Sequence, residues 1–182
     1  MHAFPCGTLP LDFVGTLRAR STDAPTELLP SPDALDAWFV ESGLLAHAPG
    51  ADAADLAHAI ELRETIAALV YARAAAAPLP RDAVDALNAA AIEAPLVPRL
   101  TPDGWRRQGT PAQALADLAR GAVEIIGGED AALLRECGRP GCTQIYLDRS
   151  RGHRREWCSM QTCGARVKAA AYRARKRDGV PV

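Results

Sequence analysis

Four of the five cysteines in this 182-residue chain are crowded into one stretch, as Cys137-x4-Cys142-x15-Cys158-x4-Cys163. Two close pairs separated by a medium loop form the pattern of a structural metal site. Each pair bends the chain so that both sulfurs face one point, and the loop brings the pairs together as a tetrahedron. Gly138, Arg139, Pro140 and Gly141 lie inside the first pair and are mostly turn formers, as a tight knuckle around an ion requires. Four buried free thiols or two disulfides would be the bland explanation. The segment has few other core residues for thiols to pack with, and clustered cysteines in a chain without a secretory signal are more often metal ligands than disulfides. The expected occupant is one structural Zn²⁺, although an iron–sulfur cluster uses the same kind of ligands. Four thiolates leave no open coordination position, so a catalytic zinc is not expected. Cys6 stands apart and reads as a small apolar residue, and His153 reads as a loop residue.

The flanks suit such a module. Residues 144–147 predict a short strand, and residues 148–155 a charged loop. Trp157 sits beside Cys158, where it could cover the metal. Ser159 is a helix cap, which places Cys163 in the first turn of a last helix. Formal net charge is −1, but the charges are segregated. Residues 135–177 hold 12 Lys+Arg and 3 Asp+Glu, or +9, leaving −10 for the remainder. A four-thiolate zinc site is formally −2, so the loaded segment would still be +7. A basic tail on an acidic body points to a polyanionic partner, or else to contact between the two halves.

The rest of the chain is alanine-rich with only 5% aromatics, which favours helices. Residues 9–20 read as a short helix or extended segment. Residues 31–43 read as a helix capped by Ser31, with Leu35, Trp38 and Phe39 on one face. Residues 52–77 form the longest helical stretch, with Leu56, Ala59, Ile60, Ile66, Ala67 and Val70 on one side, and Pro78 closes it. Residues 80–93 predict another helix, with Val84, Leu87 and Ala91 inward. Residues 95–109 predict a small hairpin turning at Thr101-Pro102-Asp103-Gly104, with Pro98 on an edge strand. Residues 111–126 return to helix, and the Gly127-Gly128 pair marks a boundary. The expected architecture is therefore a mainly α N-terminal domain with a small β hairpin over residues 1–127, followed by a treble-clef-like α+β zinc module over 128–182. No run is apolar and long enough to span a membrane, and no secretory signal is visible, so the expected compartment is the cytoplasm.

These residues resemble the bacterial CGNR zinc-finger family, whose N-terminal part is called the ABATE domain. The resemblance is carried by the four cysteines and by Leu147-Asp148-Arg149-Ser150-Arg151, Arg154-Arg155, Trp157-Cys158-Ser159-Met160 and Cys163-Gly164-Ala165-Arg166. Leu11 to Thr16 reads LDFVGT, similar to the family's opening phrase, and Leu62-Arg63-Glu64 is similar to a second one. The chain departs from the family at Ala165 and Gly15, where the family has Asn. A contact made by either Asn is missing here. The resemblance implies a stress-related transcription regulator.

Over residues 159–177, helical spacing puts Arg166, Arg173 and Arg177 on one stripe and Lys168 and Arg175 on the opposite one. Val167, Ala170, Ala171 and Ala174 lie between the stripes and suggest a seam packed on the body. With Lys176 and the loop residues Arg149, Arg151, Arg154 and Arg155, these cations make a candidate nucleic-acid footprint, for duplex DNA above all. The bland reading is a solvated basic helix paired with the acidic body. Arg63 falls on an apolar stripe and needs a partner: Asp12, or a small anionic ligand in a pocket with Phe13 and Thr16. Trp38 and Trp105 read as core. The four histidines are scattered and no nucleophile–base grouping is visible, so an enzyme is not expected. A zinc-stabilised module for protein or RNA contact is the alternative to a DNA-binding regulator.

Overall fold

The structure is a computed structural model that describes residues 2–177. Met1 and residues 178–182, the outer ends of the two expected domains, lie outside the described residues. The N-terminal unit is helical. Its helices are α1 (Leu9–Val14), α2 (Pro32–Glu41), α3 (Ala53–Ala74), α4 (Arg81–Ala90) and α5 (Pro111–Gly127). Helices α2, α3 and α5 start at legible caps. The Ser31 hydroxyl accepts from the Ala34 N–H, and Asp52 and Asp55 form a reciprocal capping box at α3. Thr110 and Gln113 form another at α5, with Pro111 at its first position.

The buried face of α2 follows the predicted stripe, and that of α3 does so in part: Leu56 and Ile60 are only half-buried, while Leu62 and Leu69 join the face. Leu35, Trp38 and Phe39 point inward from α2, and Ala59, Leu62, Ile66, Ala67, Leu69 and Val70 from α3. Short α1 is buried along most of its length and packs between α3 and α5, with Phe13 against Trp38 at 5.1 Å between ring centroids. Two strands of two residues each, β1 (Leu17–Arg18) and β2 (Thr26–Glu27), pair antiparallel after α1. The hairpin appears as β3 (Val97–Thr101) and β4 (Gly104–Gln108), with Leu100 opposite Trp105. One expectation is corrected here. Trp105 is not core but 60% exposed, as Leu100 is 90% exposed, because this two-stranded ribbon has no sheet or helix covering that pair. Arg107 lies over the Trp105 ring at 5.7 Å, a cation–π contact at the surface.

In the C-terminal part, β5 (Leu134–Glu136) and β6 (Ile145–Leu147) pair antiparallel around the first cysteine knuckle, and α6 (Ala165–Arg177) closes the described chain. The hydrophobic cluster does not stop at Gly127-Gly128. It runs on through Leu134, Ile145, Tyr146 and Leu147 to Cys137, Cys158 and Cys163. The zinc module therefore shares one core with the helical unit. No helix is long and apolar enough to cross a membrane.

The buried charges are arranged differently from the expected Asp12–Arg63 pair. Arg63 is 2% exposed and donates to Glu27 at 2.7 Å, Glu64 at 2.8 Å and the Thr16 hydroxyl at 3.2 Å. Asp12 instead accepts from the Cys6 N–H at 2.8 Å, because α1 folds the preceding turn over its own first residues. Burial raises the Asp12 carboxyl to about 6, against the opposing effect of its hydrogen bonds from Cys6 and Gly7. Its folded-state value lies above the unfolded one, so the folded chain holds the extra proton and stability falls as pH rises through this window. Relative to wild type, Asp12→Asn should gain about 2 kcal/mol between pH 4 and pH 6 and level off above about pH 7. Urea unfolding of both proteins across that range checks this, since the difference cancels the metal site they share.

Candidate metal centre and nucleic-acid interface

The first knuckle is built by hydrogen bonds that the spacing anticipates. The Cys142 N–H donates to Arg139 O at 2.9 Å, closing the turn, and the Cys137 N–H donates to Gln144 O at 2.9 Å. The second pair is set by Ser159, whose hydroxyl caps the turn over Met160–Gly164 by accepting from the Gln161 N–H at 3.1 Å. The Gly138 N–H donates to Glu156 O at 2.9 Å, tying one pair to the other. Trp157 lies over both glycines that flank the site. A Cβ on Gly164 would come within 3.2 Å of its ring, and one on Gly138 within 3.7 Å.

This scaffold gathers the Sγ atoms of Cys137, Cys142, Cys158 and Cys163 within 4.8 Å of one another. The Cys158–Cys163 and Cys163–Cys142 separations are 3.5 and 3.6 Å. A zinc ion with sulfurs at about 2.3 Å needs tetrahedral S···S distances of about 3.8 Å, so one ion fits. The donor set is four cysteines free of disulfide bonds, and the chain's four cysteines are positioned to coordinate one zinc ion. Arg139 donates from Nε to Cys163 Sγ at 3.1 Å, and the Cys158 N–H donates to Cys137 Sγ at 3.4 Å, so donors surround the sulfurs. Cys142 ionises most readily. The hydrogen bond from the Cys158 thiol, helped by the Gln144 N–H, pulls it down to about 4, while Cys158 is pushed up by making that bond. Burial pushes Cys137 up. A zinc ion bound here would hold all four sulfurs as thiolates, in place of their thiol protons.

Sequence reasoning missed Asp148, which organises the charged loop. Its carboxylate accepts from the Ser150 hydroxyl at 2.6 Å, the Ser150 N–H at 3.0 Å and the Arg155 N–H at 3.1 Å, and these bonds hold it below the usual carboxylate range. The Asp-x-Ser spacing is the signal that could have shown it. His153 is exposed and pairs through Nδ1 with Asp148 O at 2.8 Å, away from the metal ligands. Two of the expected nucleic-acid residues have other partners. Arg155 stacks on Tyr146 at 4.5 Å and donates to Trp157 O at 2.7 Å, to Cys158 O, and to Pro5 O at 3.2 Å. It is a tie inside the protein, because the loop turns its guanidinium back over β6. Arg149 pairs with Asp130 at 2.6 Å. Arg151 and Arg154 are exposed.

On α6, Arg166, Lys168, Arg173, Arg175, Lys176 and Arg177 are all exposed, and none makes an ion pair among the described residues. The expected seam against the body is corrected. Val167 and Ala174 are only half-buried and Ala170 is exposed, because α6 packs chiefly on the turn that precedes it. At the other departure from the family pattern, a Cβ on Gly15 would run into the Gln144 carboxamide. That amide occupies the space beside position 15, donating to Gly15 O at 3.3 Å and accepting from the Cys6 thiol at 3.2 Å. Asp12, Phe13, Thr16 and Arg63 are each buried, and none of them lines the cavity of about 700 Å³ between α3, α4 and α5 or the clefts beside Pro10, Trp157 and Arg18.

Loss of one ligand should therefore cost more than the metal. Cys158→Ala should lower bound zinc from one per chain to near none. It should also lower the midpoint of thermal unfolding by more than about 10 °C, since the sulfurs belong to the shared core. Metal analysis and calorimetry check this together.

Residues 7–129 match the ABATE family, described as "Putative stress-induced transcription regulator", and residues 134–176 match the CGNR zinc finger. Comparison with curated proteins gives no match. With two thirds of its length in the first match and its four ligands inside the second, the chain belongs to the ABATE family and carries a CGNR zinc finger.

Proposed function

We propose that this chain is a DNA-binding transcription regulator, not an enzyme, whose zinc site presents α6 to the phosphate backbone. One observation carries the reading: α6 has six cations and no anion, and among the described residues it makes no ion pair. Such a helix repels itself. Arg173 and Arg177, one turn apart, are a destabilising like-charge pair. The acidic body does not relieve this, since none of its carboxylates reaches α6. A polyanion does, and both charged stripes are free to face phosphates because the helix stands clear of the body. The family description supports a regulator, and the saturated four-thiolate site supports a structural role for the metal.

Fluorescence anisotropy with a duplex of random sequence tests this on zinc-loaded protein. Affinity should fall with salt along a slope of up to about −5 in log–log form, as six cations displace counterions. Arg173→Ala combined with Arg177→Ala should flatten the slope by about two and weaken binding at least tenfold, roughly, at unchanged zinc content. No duplex affinity at low salt would overturn the reading. Binding of RNA or of a protein instead would favour an interaction module without DNA recognition.

A further inference from the structure

A cleft of about 320 Å³ opens between the N-terminal unit and the zinc module. Arg18 and Thr26, from the paired strands β1 and β2, line it. So do Arg139, Thr143, Thr162 and Arg166 from the zinc module. No carboxylate lines it. Cys142, Cys158 and Cys163 also line it, so the cleft borders the metal site directly and the zinc tetrathiolate sets a formal −2 beside three guanidiniums, leaving +1. Arg139 already donates to Cys163, which offsets part of the thiolate charge. The side chains of Arg18 and Arg166 make no hydrogen bond or ion pair within the described residues. The Thr162 hydroxyl oxygen is shielded from solvent and has no hydrogen-bond partner.

We propose that this cleft binds a phosphoryl group, held between Arg18 and Arg166. Guanidiniums contributed by two separate segments of the chain, together with threonine hydroxyls in the same lining, offer more than one donor group to an anion in the cleft. That arrangement suits the non-coplanar oxygens of a tetrahedral phosphoryl group, two in a backbone diester and three in a terminal monoester, whereas a planar carboxylate is satisfied by a single guanidinium fork. Arg166 also heads the α6 stripe that continues through Arg173 and Arg177. A phosphate in the cleft is therefore continuous with a strand running along that stripe, and Arg18 adds a contact from the helical unit to an interface otherwise confined to the module. The same chemistry serves a DNA backbone phosphate and a free phosphorylated compound. The first source rests on the DNA-binding reading, but the cleft does not.

Arg18→Gln distinguishes these, because Arg18 is exposed and lies outside the metal site. Duplex binding is titrated against salt for wild type and variant. Thermal unfolding of both zinc-loaded proteins is followed in inorganic phosphate and in chloride at matched ionic strength. With DNA as the source, the variant should lose about tenfold in affinity and about one unit of salt slope, at unchanged zinc content. If wild type binds no duplex, yet phosphate raises its unfolding midpoint and fails to raise that of Arg18→Gln, the DNA reading fails and the cleft stands as a site for a free phosphorylated compound. The proposal is overturned if Arg18→Gln binds duplex with wild-type affinity and slope and phosphate stabilises both proteins equally or neither. It is likewise overturned if neither duplex binding nor an Arg18-dependent phosphate shift occurs.

Discussion

Four sulfurs held within 4.8 Å of one another are a demanding arrangement for a chain to maintain on its own. As thiolates they repel, and as thiols they crowd. Contacts among the sulfurs pull Cys142 toward the anion and push Cys158 the other way. A single divalent ion satisfies all four at once. It also joins two stretches of chain, the β5–β6 knuckle and the capped turn before α6, whose direct connection is a loop of charged residues. The direction in which α6 leaves the protein is set there, since that helix packs chiefly on the turn that carries Cys163.

The knuckle is also where the two matched regions are fastened together. Thr143 and Gln144 directly follow Cys142, and their partners belong to the helical unit. The Tyr71 hydroxyl donates to Thr143 O, the Arg20 N–H donates to the Thr143 hydroxyl at 3.2 Å, and the Gln144 carboxamide bridges Cys6 and Gly15. Arg155 adds a tie from the charged loop to Pro5. Metal ligation, the fold of the loop and the seating of the helical unit are thus neighbours along a few residues. A change in the helical unit could reach the basic helix through this strip without a long path.

Much of this was legible in sequence because it rests on local rules. Ser31, Asp52 and Thr110 announce their helices through cap chemistry, and the cysteine spacing encodes its own turn through Gly138 to Gly141. What was not legible depends on which distant groups meet. Arg63 needs a counter-charge by any reading, but only the fold shows that Glu27, on a two-residue strand, supplies it while Asp12 turns to the Cys6 backbone. Arg155 looks like its exposed neighbour Arg154 in a run of basic residues, and only the position of Tyr146 beneath it separates an internal tie from a surface charge. Trp105 has the composition of a core residue but sits on a ribbon that nothing covers. The alternation of small residues along α6 suggested a packed face, but alanines also suit a helix that stays in solvent.

The account depends on one ion bound by all four sulfurs, and X-ray absorption at the zinc edge on the full-length protein reads that coordination directly. Four sulfur neighbours at about 2.3 Å, with no nitrogen or oxygen ligand, are predicted. Fewer than four sulfurs in that shell would contradict it, as would cysteines recovered as disulfides from freshly purified protein.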